Sequence, residues 1–267
     1  MKDTVIVTPT LGNRDTIQRT VESVREFGGL RVNHVLVCPA SKLNELQDRF
    51  PHCEVLSEPQ NCGIYGAINF AFKRKVVDSS LKYLGYINDD DYWLPGFVDL
   101  FHVLDSSPLV DLTYGRVMFV NDGNMPLFES ASTSAYKEFK NLLSNDIVLF
   151  TQQSVLFRRD IFLELREFDE SYKLVADSEF WVRAIDAGFI LRYLNKVCSA
   201  YMFQANQLSS DEILSKSELQ RLIAHNGSSW RFSTMWSMLK FRASNLPLYV
   251  RRILTKKSIR VKAHVGK

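Results

Sequence analysis

Three features of this sequence predict an α/β fold built on a mainly parallel, doubly wound sheet. Short apolar, β-branched runs alternate with segments of helical periodicity, the links between them are short, and polar clusters fall where strands end. Residues 4–8 (TVIVT) form a continuous apolar run ended by Pro9, the pattern of a strand covered on both faces. Over 13–27, Ile17, Val21 and Val24 recur at helical spacing, and Gly28-Gly29 supplies the stop. A strand over 34–38, a charged helix over 41–49 and a short strand over 54–57 repeat the unit. A helix over 63–75 and a strand over 83–87 follow, the latter running into Asn88-Asp89-Asp90-Asp91. Ligands of open parallel sheets sit beyond the carboxyl ends of the strands, where Pro9-Thr10 and the aspartate run both fall. After Leu104 the alternation weakens: a strand over 112–120, a loop-rich stretch over 121–145, a strand over 154–157, a helix over 177–187 and a strand over 190–194.

At 267 residues the chain suits one large domain or two intimate ones. Hydrophobic residues at 46% and charged residues at 24% exclude disordered, collagen-like and disulfide-scaffold classes. No run approaches the roughly 18 apolar residues of a membrane span, and the N-terminus shows no signal-peptide core, so a cytoplasmic location is expected. Cys38, Cys53, Cys62 and Cys198 lack CxxC spacing and are expected to be reduced thiols rather than disulfides or zinc ligands. Charge is unevenly placed. Residues 219–267 hold eleven basic residues and no acid, which leaves 22 basic against 30 acidic residues in the rest. The cations alternate with Trp230, Trp236, Phe241, Leu246, Val250 and Ile253 among others. That mixture suits a peripheral helix on the anionic inner leaflet, and equally a basic tail whose apolar residues cover the main domain. Nucleic acid is not an expected partner, because no recognisable binding module accompanies the basic stretch.

The run Asp89-Asp90-Asp91 is the strongest chemical feature. Carboxylates are hard ligands for Mg²⁺ or Mn²⁺, which bridge phosphates and stabilise a departing diphosphate. A solvated acidic turn is the plain alternative, since Asp favours turns. Asp177 opens a helix and is either a helix cap or a lone carboxylate serving as general base toward a hydroxyl. Glu179 lies about 200° around that helix from Asp177, so the two do not face one pocket equally. Glycine-rich dinucleotide and P-loop motifs, HExxH and GxSxG are all absent, and the five histidines are scattered.

Five segments in order carry a resemblance. They are Val7 to Arg14 (VTPTLGNR), Ser57 to Asn69 (SEPQNCGIYGAIN), Asn88 to Gly96 (NDDDYWLPG), Gln152 to Arg159 (QQSVLFRR), and Phe168-Asp169-Glu170 with Val175 to Arg183 (VADSEFWVR). Together they resemble the family 2 glycosyltransferases over about residues 5–210. The resemblance implies a GT-A fold, a nucleotide-sugar donor with UDP-sugars foremost, Mn²⁺ or Mg²⁺ as cofactor, and inversion at the anomeric carbon. It makes 1–105 the nucleotide-sugar-binding half, 106–218 the acceptor-binding and catalytic-base half, and 219–267 a helical, basic, amphipathic extension. By position it implies Pro9, Thr10, Arg14, Asn61, Gly63 and Asp89 around the nucleotide, Asp90 and Asp91 at the metal, and Asp177 as catalytic base. Gln153, Ser154, Glu179, Trp181 and Gln204 would lie on the acceptor or sugar side.

Three positions depart from the family pattern. The second strand ends in Val37-Cys38-Pro39-Ala40-Ser41, with no acid to read the base; Gly66 stands where an aspartate is usual; and Gln204 stands where a histidine is usual. The processive signature QxxRW is absent, so transfer of one sugar is expected. The expected acceptor is a glycan or lipid-linked oligosaccharide of bacterial surface polysaccharide synthesis. The competing reading is a catalytically silent nucleotide-sugar-binding or scaffold protein.

Overall fold

The structure, a computed structural model, describes residues 2–59, 62–203, 212–225 and 231–254. Its first half is the expected series: β1 (Thr4–Pro9), α1 (Ile17–Gly28), β2 (Val32–Cys38), α2 (Leu43–Arg49), β3 (Glu54–Ser57), α3 (Gly63–Lys75) and β4 (Tyr83–Tyr86). β1 pairs in parallel with both β2 and β4, and β2 with β3. Successive β1 side chains point to opposite faces. Val5 and Val7 therefore join a core with α3 residues Ala67 and Ile68, while Ile6 joins Val24 of α1 on the other side. That two-sided burial explains the unbroken apolar run.

The second half contains β5 (Tyr92–Trp93), α4 (Val98–Ser106), β6 (Leu112–Val120), β7 (Pro126–Glu129), α5 (Phe139–Leu143), β8 (Val155–Arg158), α6 (Arg159–Leu165), α7 (Ala176–Asp186) and β9 (Leu191–Met202). One sheet runs through both halves in the order β3-β2-β1-β4-β8-β6-β9-β5, with β7 beside β6. It is mixed: β8 is antiparallel to β4 and β6, β5 to β9, and β7 to β6, while β6 and β9 are parallel. β9 extends well past the expected 190–194. Its pairing with β6 shifts register twice between Tyr114 and Val117, and a Cβ at Gly115 would meet Cys198 Sγ at 2.2 Å. The bulge interrupts the apolar alternation that a strand reading depends on. The stretch read as loop over 121–145 holds the short β7 and α5.

The C-terminal region forms α8 (Glu212–His225), α9 (Arg231–Ser244) and α10 (Leu246–Leu254). Its described part docks on the body: Leu222 and Phe241 enter the main core cluster, and Ser132 N–H donates to Asn245 Oδ1. The expected boundaries after 105 and 218 fall within α4 and α8. All four cysteines are free thiols. Among the described residues no helix is long and apolar enough to cross a membrane.

Candidate active site

A cleft of about 590 Å³ opens at the carboxyl ends of β1 and β4, bounded by the start of α3 on one side and the start of α7 on the other. Pro9, Thr10 and Arg14 line it from β1 and the loop that follows. Gly63, Ile64 and Tyr65 line it from the first turn of α3, whose unpaired N–H groups and helix dipole favour an anion. Gly63 adopts φ +68°, a left-handed conformation natural to glycine, and so turns the chain into that helix.

Asn88, Asp89 and Asp90 reach the cleft from the end of β4. Asp89 Oδ2 accepts from the Thr10 hydroxyl at 2.6 Å, and its Oδ1 accepts from Arg14 at 3.3 Å. Arg14 also donates to Asp90, so one guanidinium bridges two adjacent carboxylates. Burial pushes Asp89 above the usual carboxylate range, opposed by the Thr10 hydrogen bond and the Arg14 charge.

Asp177 faces the same cleft from the first turn of α7, after Val175 at the cap position. Its Oδ1 accepts the Ser178 N–H at 2.7 Å, yet burial dominates and pushes its carboxyl up to about 6. A carboxylate with that value is poised to take a proton near neutral pH. The preceding loop is held by Glu218 of α8, whose buried carboxylate accepts the N–H groups of Lys173, Leu174 and Val175.

Five sequence-derived assignments do not reach the cleft. Asp91 was expected at the metal, but its Oδ1 accepts the Met202 N–H at 3.0 Å and its own carbonyl accepts the Thr20 hydroxyl. It ties β9 and α1 to the acidic loop, and burial first, then repulsion from Asp90, raises it well above the ordinary range. Gln153 and Ser154 are fully buried in a tight turn that presents Gln152 to the cleft instead, and Ser154 Oγ bonds Ser199 Oγ. Glu179 lies on another side of α7 and is paired with Arg183 at 2.7 Å. Trp181 shares the inward face with Asp177 but sits one turn deeper, packed among Phe150, Phe157, Phe168 and Phe180. Asn61 and Gln204 lie outside the described residues.

The cleft is also lined by Glu58, Tyr65, Tyr86, Asn88, Lys173 and Tyr201, to which the sequence motifs assign no role. Glu58 had a signal in the SEP triplet. Its N–H donates to the Cys38 carbonyl at 2.8 Å, setting it beside the end of β2, where the expected acid is missing. Gly66 is closely packed: a Cβ there would meet Cys62 at 2.7 Å and Glu170 Oε2 at 3.2 Å.

The model of glycosyl transferase family 2 matches residues 5–166, more than half of the chain. The chain belongs to glycosyl transferase family 2. The match covers β1 through the acidic loop and β8, while Asp177 lies beyond it in the same fold. Among solved structures, S. aureus TarS is similar at 16% identity and TM-score 0.61, over 92% of this chain and 43% of that one. TarS 1–349 in complex with UDP is 17% identical over 92% of this chain and 72% of that chain, at TM-score 0.61. The corresponding complex with UDP-GlcNAc is 16% identical over 92% and 73%, at TM-score 0.62. This chain therefore spans under half of the longer TarS chain. At such identities the likeness shows the fold alone, a GT-A-like α/β fold shared with TarS. No curated protein matches the sequence.

Proposed function

We propose that this family 2 glycosyltransferase moves one sugar from a nucleotide-sugar, with a UDP-sugar foremost, to a hydroxyl of a glycan or lipid-linked oligosaccharide, with inversion. The observation that carries the reading is the placement of a buried carboxylate near 6, Asp177, in one cleft with Asp89, Asp90 and the start of α3. TarS, whose fold is shared, has been crystallised with UDP and with UDP-GlcNAc, which supports a uridine nucleotide as the donor carrier. A role in bacterial surface polysaccharide synthesis extends the same reading.

In the proposed reaction the acceptor hydroxyl donates to Asp177 and loses its proton as its oxygen attacks the anomeric carbon. The nucleoside diphosphate leaves from the opposite face, so configuration inverts. Asp177 serves better than a solvated aspartate because its higher pKa gives the proton a stronger destination. Negative charge on the departing diphosphate is met by Arg14, Lys173 and the first-turn N–H groups of α3, all lining the cleft. Asp89 and Thr10 form a hydrogen-bonded pair at the nucleotide end.

The donor set fits Mg²⁺ or Mn²⁺ in a limited way. Among the described residues no cluster of three or more His, Cys, Asp or Glu surrounds one point, but Asp90 offers a hard carboxylate to the cleft. Mg²⁺ is commonly held by one or two carboxylates together with substrate phosphates and water. Asp90, with Asn88 or Asp89 beside it, would hold the ion, which would supply further neutralisation of diphosphate charge.

Thermal melting with UDP-, GDP-, dTDP- and CMP-sugars, with and without Mn²⁺ or Mg²⁺, tests donor and metal together. A donor at 100-fold its dissociation constant adds about 2.7 kcal/mol to the folded state. Metal-dependent stabilisation of the native protein but not of Asp90→Ala, followed by UDP release with an acceptor, is expected. No response to any donor at millimolar concentration overturns the reading in favour of a silent scaffold.

A further inference from the structure

α9 and α10 each present two different faces. The inward faces carry Ser237, Phe241, Leu248 and Arg252, and Asn245 lies in the link between the helices, all buried against the body. Ser237 Oγ pairs with Glu138, and Arg252 donates to the Glu129 carbonyl, so both helices are fixed in place. The outward faces are also apolar. Met235, Trp236 and Leu239 on α9, and Leu246, Val250, Ile253 and Leu254 on α10, are exposed, with Trp236 at 59% and Leu254 at 77%.

At about 100° per residue, Leu246, Val250, Ile253 and Leu254 project between roughly 140° and 240° from Leu248, while Arg252 lies only about 40° from it. Covering the body thus accounts for one side of α10 and leaves its opposite side unexplained. Cations flank the exposed apolar residues: Lys240, whose ammonium lies 5.7 Å from the Trp236 ring centre, and Arg242, while Arg251 is paired with Glu129 of β7. No acid occurs anywhere in 219–267, and residues 255–267 add five further cations.

We infer that the outward faces of α9 and α10 dock on an anionic lipid bilayer, with their apolar side chains at the headgroup boundary and their cations against the lipid phosphates. Buried apolar area and attraction to anionic headgroups act together in such interfacial helices. A second copy meeting the same face would instead set Lys240 and Arg242 against their own kind, since neither helix carries an acid of its own. The surface needs no turnover, so it stands or falls apart from the transferase reading.

The test is co-sedimentation of the full chain with phosphatidylcholine vesicles, with and without about a third phosphatidylglycerol. Partition at least about tenfold stronger on the anionic vesicles, weakening as salt is raised, is expected. The combined variant Trp236→Ser, Val250→Ser, Ile253→Ser loses at least about tenfold of it with an unchanged melting temperature, since all three side chains are exposed. Lys240→Glu with Arg242→Glu keeps the apolar face and loses the preference for anionic vesicles. Equal partition on both vesicle types, no partition on either, or partition indifferent to both variants overturns the inference. So does a dimer in sedimentation velocity that the serine variant dissolves, which would make the face an interface between copies.

Discussion

Replacing Asp177 with Asn separates its cost to the fold from its service to the reaction. The buried carboxyl has moved from 3.8 to about 6. In the unfolded chain the group ionises first, so between those two values the native state holds more protons, and stability falls as pH rises through the window. At about 1.36 kcal/mol per pH unit, the ionised group costs the folded protein about 3 kcal/mol at pH 7.5, and nothing below about pH 3.8. Asn keeps an oxygen for the Ser178 N–H and carries no charge. Asp177→Asn is therefore expected to be more stable than the native chain by up to about 3 kcal/mol in urea unfolding at pH 7.5, with the gain vanishing near pH 4.

The same substitution removes the base and is expected to lower kcat by about 10²- to 10⁴-fold. In the native protein the acidic limb of kcat/KM should turn near pH 6, with about a tenth of full activity at pH 5 and about nine-tenths at pH 7. A variant that loses activity and stability together at every pH would refute the reasoning, because it would make Asp177 an ionised helix-start residue that stabilises the fold. An acidic limb unmoved from the ordinary aspartate range would refute it as well.

Arg14→Ala leaves Asp89 and Asp90 without their shared cation; with Arg14 partly exposed, a loss of about 1 kcal/mol is expected near neutral pH, recovered by millimolar Mn²⁺ if Asp90 holds a metal. A melt that Mn²⁺ leaves unchanged would count against the ion. Glu218→Ala strips the acceptor from three backbone N–H groups ahead of Asp177 and should cost about 2–4 kcal/mol in urea unfolding, with kcat falling more than donor KM. Full activity with only lower stability would show that the loop does not position the base. Glu58→Ala should raise KM for the preferred donor about tenfold with little change in kcat, and narrow its preference over the other nucleotide bases.

The parallel half was legible because strands covered on both faces leave unbroken apolar runs and short links. The later half was less so. β9 was cut short because Asn195 and Lys196 fall at the bulge against β6, where alternation fails, and β7 and α5 are too short to show a period. All five resembling segments reach the cleft, but a motif does not say which of their side chains face it. Asp89 and Asp90 open to the cleft while the adjacent Asp91 turns into the sheet, and Gln152 opens to it while Gln153 and Ser154 turn inward. A segment motif carries no such alternation; only the backbone path supplies it. Trp181 shows the converse limit, since its helical spacing from Asp177 selects the correct face but not the depth.

The departures from the family pattern have a spatial logic that linear comparison hides. On the proposed donor placement, the acid missing from the end of β2 leaves that end of the cleft short of one carboxylate. Glu58 arrives there from β3, held by its N–H to the Cys38 carbonyl, because β2 and β3 are parallel neighbours in register through Cys38 and Ser57. The aspartate missing at Gly66 has a similar counterpart: Glu170 reaches across from the loop before α7, its Oε1 accepting from Asn69 and its Oε2 beside Gly66. A Cβ at 66 would meet Cys62 at 2.7 Å and press on Glu170 Oε2 at 3.2 Å, so the glycine leaves room for both neighbours. Of these two glutamates Glu58 lines the cleft, and the donor preference of this chain should follow Glu58 rather than the second strand.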